Sequence, residues 1–466
     1  MKNIWLSCCL FALGTLPLSA QSILGDWHGV LEIQGMELGI VLHIAEEDGT
    51  YTTTMDSPDQ QAYGIGTDMT LFEENELTIE AGKLRMLYIA TLEGDKLKGT
   101  FTQNGMEFPL EMGREAVEKA PVVRPQEPTE FPYVVEDVRF QNPKGDHYLA
   151  GTLTMPEDGK FNKVAVLVSG SGPQDRNEEL LNHKPFLVLS DYLTRHGIAV
   201  LRYDDRGVGE SEGDFGSATS KDFADDASAA VNFLLEMDGM EGKQIGIVGH
   251  SEGGMIAPIV ATENEHVDFI VLLAGPGINI IDLMLLQNQR ISEAEGVGQE
   301  TIEKNLSISR SAFEYVKKNH EQETEELKEN LATIFKEGLS KFSEEELAEM
   351  GDEEAVVKNQ VNTLTSPWFL YFMRFNPQKY LRSVDCPTLA INGELDLQVT
   401  AKENIEGIKA SMRGNKNLTV KIFPKLNHLF QVTETGAPSE YAKLEETFNE
   451  EAMSFVSDWI LTYDEK

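Results

Sequence analysis

Apolar and polar residues alternate in short runs from residue 21 to about residue 115. Val30, Leu31 and Ile33 come before Gly35, and residues 38–44 lead into Glu47-Asp48-Gly49. Residues 77–79 lead into Ala81-Gly82-Lys83, and residues 84–92 into Glu93-Gly94-Asp95. Residues 97–102 end at Gln103-Asn104-Gly105, where Asn-Gly between apolar runs signals a tight hairpin. A turn about every ten residues, with no helical period, predicts about eight antiparallel strands in a small barrel or sandwich. Residues 116–132 carry Pro121, Pro125, Pro128 and Pro132 with few apolar residues between them, which predicts a semi-rigid linker.

Beyond the prolines the period changes, and residues 133–466 read as a second domain. Residues 138–140 and 149–155 form an expected antiparallel pair. Unbroken apolar runs follow at 164–168, 198–203, 245–248, 269–273, 389–392 and 419–423. Helical periods lie between or after them, at 186–196, 223–236 and 448–461. Buried strands alternating with helices predict an α/β fold, with a mostly parallel sheet covered on both faces. From about 278 to 380 no strand pattern occurs. This helical stretch sits between two sheet strands, so it must leave the sheet, and its place suits a lid over the ligand crevice.

Charge narrows the function classes. The 466 residues carry 39 Lys+Arg against 78 Asp+Glu, a net charge of −39. With 41% hydrophobic and 25% charged residues the chain is globular in composition, so the charge does not argue for disorder. It repels phosphate backbones and anionic lipid, which excludes nucleic acid as an expected partner. Residues 292–354 hold 18 acidic and 7 basic side chains, so −11 of the total falls within the expected lid.

The N-terminus reads as a secretory signal over residues 1–20. Lys2 is its positive start, residues 4–18 its apolar stretch, and Leu18-Ser19-Ala20 its cleavage site. A lipoprotein signal acylated at Cys8 or Cys9 is the weaker alternative, because few apolar residues precede those cysteines. Export to the periplasm or beyond is therefore expected, with no membrane span and Cys386 the one cysteine left. Cys386, before Pro387 and an apolar run, reads as a small buried residue.

Residues 245–248 run straight into Gly249-His250-Ser251-Glu252-Gly253-Gly254. A Gly-x-Ser-x-Gly turn between strand and helix exposes a serine at a helix N-terminus. Gly249 and Gly253 must lack side chains there, because the turn brings strand and helix into contact. Ser251 is thus the expected nucleophile, and His250 a packed neighbour. A serine nucleophile requires a base and an orienting acid, expected in the order Ser, acid, His. Of the later histidines, His266 precedes a strand, at the wrong end of the sheet, and His320 lies in the charged lid. His428 follows the last strand and is assigned the base. Glu394 and Asp396 both follow the preceding strand; Asp396 lies further along the loop and is favoured, while Asp385 is at the strand's far end. Two backbone amides should bind the oxyanion, one from Glu252 and one from the loop 169–176, at Ser171 or alternatively Gly172. Trp368, Phe369 and Phe372, in an aromatic run at the lid's end, are candidates to line an acyl pocket.

Five runs resemble the α/β-hydrolase superfamily, and more narrowly bacterial carboxylesterases of the EstD type, related to S33 and S9-like hydrolases. They are SGSGPQDR at 169–176, YDDRGVGES at 203–211, GHSEGG at 249–254, NGELDLQV at 392–399 and LNHLF at 426–430. In many family members a His stands where this chain has Ser169. The resemblance implies hydrolysis of a small-molecule ester through an acyl-enzyme, without a cofactor, metal or obligate protein partner. A short acyl group would suit a bulky, closed pocket. Peptidase or aminopeptidase activity is the alternative within the same chemistry, and thioesterase activity a weaker one. Gly25-Asp26-Trp27 resembles the Gly-x-Trp start of lipocalin-type barrels, which leaves a ligand carrier with a vestigial hydrolase half as the non-enzymatic alternative.

Overall fold

A computed structural model describes residues 22–463 apart from 34–35, 48, 59–61, 104–105, 117–123 and 351. The expected signal at residues 1–20 lies outside the described residues, as does the Asn104-Gly105 turn. The chain divides into two compact units, residues 1–119 and 120–466.

In the first unit the alternating runs form nine antiparallel strands. They are β1 (Gly25–Ile33), β2 (Met36–Glu47), β3 (Thr50–Ser57), β4 (Ala62–Gly66), β5 (Met69–Glu73), β6 (Glu76–Ala81), β7 (Met86–Glu93), β8 (Lys96–Gln103) and β9 (Met106–Gly113). Their hydrogen-bonded order is β4-β3-β2-β1-β9-β8-β7-β6-β5. β4 and β5 thus stand at opposite edges, yet only Thr67 and Asp68 separate them in the chain. The edges must therefore meet, and the sheet wraps into a barrel with a seam. Thr70 Oγ1 donates to Thr53 Oγ1 across that seam at 2.9 Å. Period-two alternation sends one face of each strand inward: on β7 Met86, Tyr88, Ala90 and Leu92 are buried, while Ile89 faces out. Trp27, Leu77, Ile79, Leu97 and Met112 help fill the interior, and Tyr88 donates to the Leu110 carbonyl at 3.1 Å. The Arg114 guanidinium lies 3.6 Å from the Trp27 ring centroid and donates to the carbonyls of Ser22 and Leu24.

In the second unit eight strands form one sheet: β10 (Tyr133–Asn142), β11 (His147–Pro156), β12 (Lys163–Val168), β13 (Ile198–Tyr203), β14 (Gln244–His250), β15 (Phe269–Leu273), β16 (Thr388–Gly393) and β17 (Leu418–Phe423). Their order is β10-β11-β13-β12-β14-β15-β16-β17. β11 pairs antiparallel with β10 and β13, and the remaining pairs are parallel. Every residue of β12, β13 and β15 is buried, which is why their sequences are unbroken rather than alternating. The chain steps one way from β12 to β13, through α1 (Pro185–Arg195), and then reverses to β14 through α2 (Ser220–Glu236). Right-handed crossovers then place α1 on one face, and α2 with α3 (Glu252–Glu263) on the other. The reversal leaves a crevice at the carboxyl ends of β12 and β14, the usual ligand position in such sheets.

Between β15 and β16 the chain leaves the sheet through seven helices, from α4 (Ile280–Ala294) to α9 (Pro367–Phe372) and α10 (Pro377–Leu381). α11 (Ala401–Ser411) and α12 (Glu450–Thr462) complete the unit. Among the described residues no helix is long and apolar enough to cross a membrane.

The segment expected to be a linker departs from that expectation after residue 123. Arg124 donates to the carbonyls of Leu181, Asn182, Ala442 and Leu444, and the Gln126 side chain pairs with the Thr447 and Phe448 backbone. Few apolar residues made it read as a spacer, but backbone carbonyls rather than apolar packing hold it.

Beneath this clamp His183 is buried, its Nε2 facing the Tyr441 carbonyl at 3.0 Å and its Nδ1 facing Thr447 Oγ1 at 2.9 Å. Nε2–H donates to the carbonyl, and the hydroxyl can serve Nδ1 as donor. Burial, with help from the Arg124 charge, lowers its pKa from 6.5 to about 4. The unfolded chain therefore takes up a proton between those values that the folded chain refuses. Stability contributed by this residue is full above pH 6.5 and falls as the pH drops toward 4, by on the order of 3 kcal/mol. In urea titrations the stability gap between wild type and His183→Gln should narrow between pH 7.5 and pH 4.5. A gap independent of pH would refute the assignment.

Candidate active site

β14 ends at His250, and α3 begins at Glu252. Ser251 between them has φ +52° and ψ −111°, a region that residues with a side chain rarely adopt. The turn is held by the Ser251 amide donating to the Leu273 carbonyl at 2.9 Å. A side-chain carbon on Gly249 would lie 2.0 Å from the Gly253 carbonyl oxygen, and one on Gly253 would lie 2.0 Å from that of Val168. Both glycines are required by close packing of strand against helix, as the sequence pattern implies. α3 is buried on all its faces over residues 252–260, so Ser251 sits on a rigid base.

Asp396 lies in the loop after β16 and His428 in the loop after β17, both buried. Asp396 Oδ2 faces His428 Nδ1 at 2.9 Å. Its other oxygen accepts from the Gln398 and Val399 amides, both at 2.8 Å, which fixes the carboxylate's rotation. Glu394, the other acid considered, approaches only the Lys425 amide, at 3.4 Å, and is exposed. The His428 ring centroid is 4.8 Å from that of His250, next to Ser251 in the chain. His320 caps α5 (Gln299–Asn319) in the insertion, and His266 lies ahead of β15, away from these loops.

The loop after β12 comes over the serine. A side-chain carbon on Gly170 would meet Ser251 Cβ at 3.4 Å and Glu178 Oε1 at 3.2 Å. The Gly170 amide is already engaged, donating to Glu178 Oε1 at 2.7 Å. Among the described residues the Ser171 and Gly172 amides have no acceptor, and Gly172 has φ +98°. The Glu252 amide lies in the first turn of α3, where amides lack an intrahelical acceptor. These three amides remain available to an oxyanion. Ser169, where a family histidine often stands, donates to Asp205 at 3.1 Å and anchors the loop from below.

Two contacts that sequence reasoning missed tie distant segments to this centre. Buried His250 faces Glu178 Oε1 through Nδ1 at 2.9 Å and the His428 carbonyl through Nε2 at 3.0 Å. Buried Glu252 accepts from Ser220 Oγ at 2.5 Å and from Trp368 Nε1 at 2.8 Å. Burial raises the Glu252 pKa, partly offset by those two donors. Trp368 is thereby pinned beside α3, the helix that starts after Ser251, and stacks on Phe372 at 4.8 Å. Phe369 is instead buried in the insertion, its ring 5.8 Å from that of Phe313. Of the three aromatics expected at the site, Trp368 is the one hydrogen-bonded to it among the described residues, through Glu252. No local pattern marks Glu178; the only trace of its role is the histidine preceding Ser251.

Other residues singled out by sequence have supporting places. Asp204 holds Arg176, with Arg176 Nη2 at 2.6 Å, and Ser211 Oγ donates to the Asp204 carbonyl at 2.7 Å. Burial pushes the Cys386 thiol up to about 12, which makes it unreactive. Among the described residues no group of three or more His, Cys, Asp or Glu is placed to hold a metal ion.

A model of the family described as serine aminopeptidase, S33, matches residues 185–434, which include Ser251, Asp396 and His428. The chain is 26% identical over 296 residues to esterase EstD of Thermotoga maritima, covering 63% of this chain and 61% of that one. It thus spans about three-fifths of that relative's length. Similar solved structures include esterase Pf2001 of Pyrococcus furiosus, with TM-score 0.45 and 16% identity over 74% of this chain and 99% of that one. Another is Est1E of Butyrivibrio proteoclasticus with ferulic acid bound, with TM-score 0.41 and 15% identity over 71% of this chain and 100% of that one.

Proposed function

The chain belongs to the serine aminopeptidase S33 family, whose members share the α/β-hydrolase fold, and on that premise we propose that it is an exported serine esterase of small, short-chain acyl esters. The observation that carries this reading is the orienting bond from His428 to Asp396, at the same sheet end as the strained Ser251. In the proposed cycle Ser251 Oγ attacks the ester carbonyl as His428 Nε2 takes its proton. The negative oxygen is received by the Glu252 amide and by that of Ser171 or Gly172. His428 then returns the proton to the leaving alcohol. Water, deprotonated by the same ring, releases the acid and regenerates Ser251. Asp396 keeps Nδ1 protonated, so that Nε2 is the free acceptor.

Peptide cleavage is the second reading, favoured by the family's description as aminopeptidases. Matched p-nitrophenyl esters and amino-acid p-nitroanilides separate the two. Turnover of acetyl and butyryl esters with no anilide cleavage is expected, and the opposite outcome would replace esterase by peptidase. Trp368 supports a short acyl group, because its hydrogen bond to Glu252 holds a bulky ring beside the helix that starts at the serine. In the same ester series Trp368→Ala should shift the preferred chain length upward and raise relative activity on octanoyl over butyryl ester about tenfold, the scale set by a few methylenes. An unchanged profile would show that the ring does not bound the acyl site.

A further inference from the structure

The buried Glu178–His250 pair has no part in the cycle above, yet it touches both the oxyanion loop and the loop of the base. Glu178 Oε1 accepts from the Gly170 amide, on the loop that carries the Ser171 and Gly172 amides, at 2.7 Å. The same oxygen faces His250 Nδ1 at 2.9 Å. Through Nε2, at 3.0 Å, His250 reaches the backbone carbonyl of the base itself, His428. Both partners of His250 are acceptors, so both ring nitrogens must carry protons and the ring is an imidazolium. Burial alone would lower its pKa, but the Glu178 charge, the two hydrogen bonds and the more distant Asp396 hold it above 6.5. Glu178 also adopts φ +52°, an unfavourable backbone that points to a constrained position.

We propose that the Glu178–His250 ion pair is a positioning device, which locks the oxyanion loop and the His428 loop in register about Ser251. The proposal rests on the reading of Ser251 as nucleophile. A buried charge pair is an unpromising source of stability, since desolvation cancels much of its attraction. Its geometric effect is direct: one rigid ring spans two loops that approach the serine from opposite sides. The groups facing His250 are Glu178 and Gly170 from the oxyanion loop, the His428 ring and carbonyl, the Phe430 ring, and Asp396 through space. At high pH the imidazolium loses one proton. Nδ1, facing a carboxylate, keeps its own, so Nε2 becomes a lone pair aimed at the His428 carbonyl. The base loop is then pushed away, and kcat falls. The alkaline side of the profile therefore reports on His250.

Steady-state kinetics of wild type, Glu178→Ala and Glu178→Gln on p-nitrophenyl butyrate, from pH 6 to 10, tests this. Glu178→Ala should lower kcat about 100-fold, the effect of roughly 1 Å of misplacement, with KM changed less than about threefold. In Glu178→Gln the carbonyl oxygen must stay toward the Gly170 amide and Nδ1–H, so both hydrogen bonds persist but the imidazolium loses its counter-charge. That variant should keep most of the activity at the acid end of the range and bring the alkaline decline to lower pH. Glu178→Ala within about threefold of wild type in kcat, or an alkaline decline unchanged in Glu178→Gln, would overturn the proposal. Nitrogen NMR of His250 gives a readout without turnover: an imidazolium at pH 8 is expected in wild type, and a neutral ring there would overturn it too. Fluorophosphonate labelling separates the two readings. An unlabelled wild type brings down the nucleophile assignment and this proposal with it, whereas a labelled wild type with indifferent Glu178 variants brings down the proposal alone.

Discussion

Replacing Ser251 with alanine should lower kcat for ester hydrolysis about a millionfold and abolish fluorophosphonate labelling. In the proposed cycle the hydroxyl is the attacking group, and nothing else at the turn can take its place. His250 is held on both nitrogens, and Cys386 is half-buried with its thiol pKa pushed up to about 12. The structural effect should be small. Ser251 is half-buried, its side chain caps no helix amide, and the turn is held by its own backbone amide and by the two glycines. The strained φ remains with alanine, so circular dichroism and the denaturation midpoint should stay near wild type. Residual catalysis by the oxyanion amides and substrate binding should leave the variant about a thousandfold above water. If the variant kept more than a tenth of wild-type activity, the turn would be structural only.

The second large effect is expected from Asp396→Asn, about ten-thousandfold in kcat with the fold intact. The reasoning is local. One oxygen of Asp396 receives two backbone amides, and the other faces His428 Nδ1. An asparagine must place its carbonyl toward the two amides, because its NH2 group would oppose their protons. Its NH2 then faces Nδ1, which must accept. The ring is driven to the tautomer protonated at Nε2, which cannot take a proton from serine. Glu394→Gln is the matched control. Glu394 is exposed, so its loss should change kcat less than about threefold. Equal losses in both variants would reassign the acid.

The geometry of the centre was legible in the sequence where chemistry and backbone shape are set by near neighbours. Of the glycines flanking Ser251, Gly249 is forced by a contact within the strand–turn–helix itself and Gly253 by the adjacent strand β12. Chain order pointed to the loops after β16 and β17, and the greater reach of Asp396 over Glu394 followed from its place along one of them. The strands of the second unit could be read to within a residue or two of their cores, except at the edge strand β10. There one face is exposed and the apolar run is shorter than the strand.

What sequence alone determined is therefore the periodic and the local. It specified a barrel-forming meander before a covered sheet, a helical excursion before β16, and a serine forced into a strained turn. Tertiary structure decided which distant groups meet. It closed the first sheet by bringing β5 against β3, and drew Arg124 onto the carbonyls of residues 442 and 444. It buried Phe369 while leaving Trp368 on Glu252, and carried Glu178 to His250 across 72 residues. The physical reason is the range of the forces involved. Side-chain alternation and glycine sterics act over a few residues and leave their period in the sequence. A buried hydrogen bond between loops has no period, and its partners are chosen by strand order and packing once the sheet exists.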